Sequence, residues 1–233
     1  GSRDPYGLRR AATALVQATL DQRLDYSLEP LLERARDLYR AQGVTGGEEG
    51  WARILPFLEE RLRHVCQEAH SFRYDAVSAA VAVGAGNLLD AFRRVEALHG
   101  IRGHSDFEAL SLSYRRVKNI LTGQEPPVLQ EAALSAQEEK ALLAALSGVE
   151  EKSAPLLSAG DYGAALRVMA SLRSPLDRFF DKVLVMDPDP GIRASRLALL
   201  KRISLLFLRV GDFAEMVLEG ENAAEPARGV KRG

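Results

Sequence analysis

The chain has 233 residues, of which 46% are hydrophobic and 27% are charged, and its formal net charge is −1. This is the composition of an ordinary globular protein with one large or two small domains, and it excludes a strongly basic domain that binds nucleic acid over its whole surface. A contact with RNA would therefore need a local patch of cations.

The single cysteine, Cys66, excludes an internal disulfide and fits a reducing cytoplasm. No apolar run reaches the roughly 18–20 residues that span a bilayer, and the start of the chain lacks the pattern of a signal peptide. Because the chain starts with Gly1-Ser2 rather than methionine, we expect it to be a piece cut from a longer protein.

Apolar residues recur at helical spacing along the chain, whereas alternating runs of β-branched and aromatic residues are short, so we predict an all-α fold. Pro5 stands just inside the first helix, after Asp4 as a possible cap, and Gly43 ends the second helix. In the first hundred residues the predicted helices lie at about 6–20, 28–42, 51–68, 76–83 and 88–99.

The helical pattern is clearer after Ser105, which with Glu108 resembles a capping box, as does Ser135 with Glu138. The predicted helices lie at about 106–121, 135–157, 162–172, 175–186 and 192–218. Glycines near residue 100 predict a boundary between two helical bundles, at 1–100 and 104–220. The two bundles are followed by a polar tail at 221–233 that we expect to be disordered.

Motifs of common catalytic and nucleotide-binding sites are missing from the sequence, including GxxxxGK[ST], HExxH, CxxC and GxSxG. Gly84 and Gly86 form only a lone GxG, without a third glycine or a preceding strand. His64, Cys66 and His70 do not all share one helix face, so a buried thiol and surface histidines explain them better than a metal site. We predict no catalytic residue and no metal site in this chain.

Three stretches resemble, in their order and spacing, the β subunit of bacterial-type glycyl-tRNA synthetase. They are Asp4-Pro-Tyr-Gly-Leu-Arg-Arg-Ala-Ala12; Asp106-Phe-Glu-Ala-Leu110 with Arg115-Arg-Val-Lys-Asn-Ile-Leu121; and Phe179-Phe-Asp-Lys-Val-Leu-Val-Met186 with Ile192-Arg-Ala-Ser-Arg-Leu-Ala-Leu-Leu200. The chain departs from the family pattern at three positions. Tyr114 stands where a small residue or asparagine is common, Arg115 where lysine is usual, and Ser195 where asparagine is usual.

The resemblance implies that the parent is the β chain of an α2β2 class II ligase, glycine–tRNA ligase, which works in the cytoplasm. The α chain would carry glycine, ATP with Mg²⁺ and the adenylation chemistry, and the β chain would recognise glycine tRNA. Residues 1–100 would be the end of an HD-type domain and a helical connector. Residues 104–220 would resemble the anticodon-binding (DALR-like) domain of arginyl-tRNA synthetase. No cofactor is expected in this chain, because the metal motif of the HD-type domain would lie before Asp4.

The predicted helix at 106–121 carries the first candidates for RNA binding. Helical geometry places Arg115, Lys118 and Asn119 in one polar strip beside the apolar stripe, with Arg116 facing away from the core. Cations and an amide can hold phosphate and hydrogen-bond a splayed base, although a solvated helix face is the alternative. Tyr114 is a candidate for base stacking.

The last two predicted helices carry further candidates. Arg193 lies at the edge of an apolar stripe, and Arg178 and Lys182 share a face because they are four residues apart. Arg196 falls inside the apolar stripe, where we expect a structural ion pair with Asp181 or Asp177 rather than an RNA phosphate.

The mechanistic hypothesis is that the second bundle unstacks the anticodon loop and reads the pairing edges of the two cytosines shared by glycine tRNAs. One alternative is a helical protein–protein interaction module without RNA binding, which the near-zero net charge favours. Another is the helical end of a different synthetase, such as the arginine enzyme, which would account only for the C-terminal half.

Overall fold

Helices are the regular structure throughout the part of the chain that the computed structural model describes, namely residues 4, 6–44, 47–102, 105–125 and 128–217. Within these ranges no strand is present, so the all-α prediction is confirmed. The predicted disordered tail at 221–233 lies outside the described residues.

The helices follow one another in two groups. The N-terminal half contains α1 (Leu8–Asp21), α2 (Leu28–Ala41), α3 (Glu48–Ala52), α4 (Ile54–Glu68), α5 (Tyr74–Val81) and α6 (Leu88–Gly100). The C-terminal half contains α7 (Ser105–Leu121), α8 (Gln137–Ser158), α9 (Tyr162–Met169), α10 (Arg173–Lys182) and α11 (Pro190–Phe207). Short 3-10 turns lie at Glu131–Ala133, Ala170–Leu172 and Phe213–Glu215.

Several helix starts follow the expected capping chemistry. The Asp189 carboxylate accepts the backbone N–H groups of Gly191 and Ile192 at 2.8 and 3.0 Å, with Pro190 as the first helical residue. The predicted cap at Ser135 is wrong by one residue: α8 is capped at Ala136, whose N–H donates to Glu139 at 2.8 Å. Since alanine has no side-chain acceptor, only the glutamate half of a capping box forms.

Two helix ends differ from the prediction, and both shape the surface. The helix predicted at 192–218 ends at Phe207, and residues 211–217 instead return to the N-terminal half. The helix predicted at 175–186 ends at Lys182, because Val183 adopts an extended conformation. In the extended run that follows, Val183 and Val185 are buried while Leu184 and Met186 are exposed.

One apolar core runs through both halves. Its centre in the C-terminal half is a group of rings in which Phe207 and Phe213 are 4.9 Å apart and Phe107 and Phe213 are 5.3 Å apart between centroids. Residues 211–217, which we call the C-terminal strap, pack against both α5 and α7: Asp212 donates its backbone N–H to the Ala79 carbonyl at 2.9 Å. The strap therefore joins the two halves.

α2 packs less fully than its sequence pattern predicts. Leu28 is its one buried residue, and Leu31, Leu38 and Tyr39 are each about half exposed. The ring of Tyr39 lies 6.1 Å from that of Trp51. Much of the apolar stripe of α2 therefore faces solvent in this chain.

A methyl group at Gly211 should destabilise the fold. A Cβ at this position would lie 2.8 Å from Leu98 Cδ1 and 3.0 Å from the Ala79 carbonyl oxygen, so the Leu98 side chain and the backbone at Ala79 or Gly211 would have to move apart. We expect Gly211→Ala to lower the free energy of unfolding by about 1–3 kcal/mol, measured by urea denaturation. Gly148→Ala is the matched control: it lies inside α8 with open space around it, and should stabilise by about 0.5–1 kcal/mol.

Asp75 ties the strap to α5 and makes stability depend on pH. Its side chain is fully buried; it accepts the Val217 N–H at 2.9 Å and is paired with Arg102. Burial raises the pKa of the Asp75 carboxyl, but the Val217 N–H and the guanidinium groups of Arg102 and Arg73 outweigh burial and hold the pKa below its ordinary value.

Asp75→Asn should therefore cost about 2–3 kcal/mol of unfolding free energy at pH 7. Because the folded pKa is depressed, this contribution is present above the unfolded pKa of about 3.9 and is lost as the pH falls through the folded value. Urea denaturation from pH 7 to pH 3 should show the gap between wild type and variant narrowing below about pH 4. Asp37→Asn, on the exposed face of α2, is the control. A gap that stays constant with pH would contradict this assignment.

Candidate nucleic-acid interface

The strip predicted on α7 is partly occupied by the C-terminal strap. Arg115 donates to the backbone carbonyl of Met216, and Lys118 Nζ lies 2.5 Å from the Asp212 carboxylate. Both side chains keep some exposure, and Asn119 is exposed. The first two residues of the strip therefore hold the strap in place, and their contact with RNA stays a prediction.

Tyr114 cannot stack on a base in this structure, so that prediction is wrong. Its side chain is 1% exposed and packs against the rings of Phe207 and Phe213, with centroids 5.4 and 5.6 Å away. Burial raises the pKa of its hydroxyl to about 12, although the hydrogen bond with Ser204 acts in the opposite direction. Tyr114 lies on the same face of α7 as Leu110 and Val117, which makes it part of the core.

Arg193 does not join the α7 strip. Its guanidinium donates to the Asp187 carbonyl at 2.9 Å, at the start of α11. Tyr114 packs against Phe207 at the other end of the same helix, so Arg193 lies about 21 Å further along the helix axis. The structure therefore places Arg193 at the start of α11, and its contact with RNA stays a prediction.

Arg196 is a structural residue whose partners were predicted incorrectly. It is 8% exposed, and its Nε lies 2.5 Å from Glu139 Oε1 while its Nη1 lies 2.7 Å from Asp187 Oδ2. The predicted partner Asp181 is instead exposed on α10, and the other predicted partner, Asp177, accepts a hydrogen bond from Ser113 at 2.6 Å. The loop between α10 and α11 brings Asp187 close enough to replace them.

The cations predicted on α10 lie at the surface. Arg178 is exposed and donates to the Ser174 hydroxyl at 3.1 Å, and Lys182 is exposed at the end of the helix. Both positive charges therefore remain exposed to solvent. Both side chains are placed where they can contact an anion, and that role stays a prediction.

A groove runs along the contact between α7 and α10. The two helices are joined by the Ser113–Asp177 hydrogen bond and by Arg116, whose guanidinium lies 4.2 Å from the centroid of the Phe180 ring. We call it the α7–α10 groove, and its volume is about 500 Å³. The lining residues that matter for its chemistry are Arg116, Ile120, Phe180, Asp181, Lys182, Leu184 and Met186.

This groove combines the groups that an opened RNA loop needs. Leu184 and Met186 are 66% and 50% exposed, so they offer an apolar surface to a nucleobase. Arg116 and Lys182 supply positive charge for phosphate, and a guanidinium stacked on a ring keeps its N–H edge free to donate.

Sequence reasoning missed Arg116, Leu184 and Met186. Arg116 was placed on the outer face of its helix, which is correct for α7 alone, but α10 packs beside that face. The alternating run from Val183 to Met186 was the available signal, because alternation of buried and exposed side chains is typical of an extended segment and not of the helix that was predicted there.

Comparison with known proteins relates the sequence of this chain to known families. Residues 1–82 match the family model of the glycyl-tRNA synthetase beta subunit, and residues 110–210 match that of the DALR anticodon binding domain. The chain is 37% identical over 227 residues to the glycine–tRNA ligase beta subunit of Acidobacterium capsulatum, which covers 93% of this chain and 32% of the relative. The chain belongs to the glycyl-tRNA synthetase β subunit family.

Two further relatives have the same name and a similar extent of match. The beta subunit of Moorella thermoacetica is 37% identical over 221 residues, covering 93% of this chain and 32% of the relative. That of Geobacter metallireducens is 38% identical over 218 residues, covering 93% and 31%. The chain thus spans about a third of the length of the curated relatives it matches. All residues that line the α7–α10 groove lie inside the range matched by the anticodon-binding domain.

The remaining sequence candidates are placed as follows. Cys66 is fully buried, and burial raises the pKa of its thiol to about 12. Within the described ranges, no group of three histidine, cysteine or acidic side chains is arranged to hold a metal ion. Nor does any helix there have the length and apolar character needed to cross a membrane.

The buried and the exposed arginine pairs of the C-terminal half should differ sharply in their effect on stability. Arg196→Met leaves the carboxylate of Glu139, which is 0% exposed, without its cation, and should cost about 3–5 kcal/mol of unfolding free energy. Arg202→Met removes a pair with Glu150 in which both side chains are about one-third exposed, and should cost less than about 1 kcal/mol. Chemical denaturation measures both, and equal losses would contradict the structural role given to Arg196.

Proposed function

We propose that this chain binds the anticodon loop of glycine tRNA as the tRNA-recognising part of a glycyl-tRNA synthetase β subunit. The observation that carries the proposal is the α7–α10 groove, which joins two exposed cations and an exposed apolar surface inside the region matched by the anticodon-binding domain. The net charge of −1 is compatible with this function, because phosphate contacts depend on local cations.

The groove suggests how cytosines of the anticodon would be read. Cytosine presents an amino donor and two acceptors on its pairing edge. The N–H groups of Arg116 can serve an acceptor, and the exposed carboxylate of Asp181 can accept from the amino group. A splayed base would lie against Leu184 and Met186, with Lys182 and Arg178 available for phosphates.

We also propose that the ligase reaction itself takes place on another chain. The relatives are named as the beta subunit of glycine–tRNA ligase, which supports a role in that enzyme. In this proposal an α subunit binds ATP, Mg²⁺ and glycine, the assembly is α2β2, and it works in the cytoplasm. The present chain would supply tRNA binding and no catalytic group.

Removing the two groove cations tests the proposal. Arg116→Ala with Lys182→Ala should weaken binding of glycine tRNA about tenfold or more, because one base or phosphate contact is worth about 1–3 kcal/mol. Fluorescence anisotropy over a range of salt concentrations measures the loss and should also show a shallower salt dependence. The matched control is Arg34→Ala with Arg53→Ala, which removes two exposed cations from the N-terminal half.

Wild-type protein should also prefer glycine tRNA over a transcript whose two anticodon cytosines are replaced. Circular dichroism and thermal unfolding of every variant establish that the fold is kept, since Arg116 also contacts Phe180. If the wild-type chain shows no salt-dependent binding of tRNA, the proposal fails, and a helical protein–protein interaction module becomes the better account.

A further inference from the structure

A second and larger groove lies where the two halves of the chain meet. Its volume is about 810 Å³, and it is bounded by α6, by the turn between α8 and α9, by the start of α9 and by the turn after α1. We call it the α6–α9 groove, and the residues that matter for its chemistry are Arg23, Arg93, Ile101, Phe107, Tyr162 and Arg167.

Three guanidinium groups come from separate parts of the fold. Arg23 follows α1 in a left-handed conformation with φ of 51°, Arg93 extends from α6, and Arg167 extends from α9. A Cβ at Gly160, where φ is +71°, would lie 3.4 Å from Nη1 of Arg93, and one at Gly163 would lie 3.7 Å from Nη1 of Arg167. Two cations therefore lie against one short stretch of backbone.

Three acidic side chains, Asp25, Asp161 and Glu96, equal the three arginines in number, but none of them pairs with Arg23 or Arg167. Asp25 pairs with Arg93 at 2.9 Å, and Asp161 accepts the Ala164 N–H at 3.0 Å as the cap of α9. Glu96 is exposed on the groove wall. Among the residues that the structure describes, no carboxylate lies within ion-pair distance of Arg23 or Arg167. Like charges that share an opening without carboxylate partners favour an anion between them.

The floor of the groove is apolar. Phe107 and Tyr162 are 2% and 7% exposed, and Ile101 lies beside them. The Tyr162 hydroxyl donates to Asp90, so it is already satisfied. A ligand that fits this surface has anionic groups at the arginine rim and a less polar face toward the floor, which describes the ribose–phosphate backbone of RNA.

The two grooves lie at opposite ends of α7. Phe107 borders the α6–α9 groove and Ile120 borders the α7–α10 groove, which separates them by about 20 Å along the helix axis. If the opened loop of an RNA occupies the α7–α10 groove, the part of its backbone several nucleotides away from that loop would reach the α6–α9 groove.

We propose that the α6–α9 groove binds the phosphates of the stem next to the anticodon loop, so that bound tRNA contacts both halves of the chain. This inference rests on the proposed function. The inference differs from the proposed function in one measurable respect. Loss of a phosphate contact weakens binding equally for all anticodon sequences, whereas loss of a base contact does not.

The test compares wild type with one double variant of the 233-residue chain that carries both Arg23→Ala and Arg167→Ala. Fluorescent glycine tRNA transcripts carry either the natural anticodon or one with both cytosines replaced, and anisotropy is measured at several potassium chloride concentrations. The affinity for each transcript should fall by the same factor, about tenfold at low salt, and the slope of log affinity against log salt should become shallower by about 1–2.

Two control variants define the effect. Arg23→Lys with Arg167→Lys keeps both charges and should keep most of the affinity, since lysine also binds phosphate. Arg34→Ala with Arg53→Ala removes two exposed cations elsewhere and should change little. Thermal unfolding establishes that each variant is folded.

Unchanged affinity and slope in the Arg23 and Arg167 alanine variant would overturn the inference while leaving the proposed function in place. A loss confined to the natural anticodon would overturn it as well, because it would indicate base reading. If wild type binds neither transcript, the proposed function itself has failed.

Discussion

The return of the C-terminal strap to the N-terminal half is the constraint on which the rest of the structure depends. Gly211 brings the backbone within hydrogen-bond distance of Ala79, and Asp75 holds the Val217 N–H from a fully buried position. Phe213 then completes the ring cluster with Phe107 and Phe207. Without these contacts the two halves would keep their helices but would lose much of what fixes their relative positions.

The strap also decides which cations remain available at the surface. It engages Arg115 and Lys118 through Met216 and Asp212, so these two cations already have partners within the chain. Elsewhere α6 packs against α9, and the groove between them contains Arg93 and Arg167.

The arginines fall into two groups with different physical roles. Arg94, Arg102 and Arg196 are buried or nearly so, and each is bound by a carboxylate and by at least one backbone carbonyl, because an isolated charge in the interior is unfavourable. Arg116 and Arg167 are exposed beside grooves, where their charge can meet an anionic ligand. This division explains how a chain of net charge −1 keeps exposed cations beside its grooves.

The sequence by itself determined the class of fold, most helix positions and the family. Helical periodicity depends on residues close together in the chain, and the three family strings are read directly. Only the tertiary structure decided the end of α11, the burial of Tyr114 and the pairing of Arg196 with Glu139, which lies far away in the sequence. Only the tertiary structure decided the two grooves as well, because the local sequence pattern does not show which helices lie side by side. Local propensity fixes which segments are helical, but the packing of distant segments fixes which faces are buried and which remain free to bind.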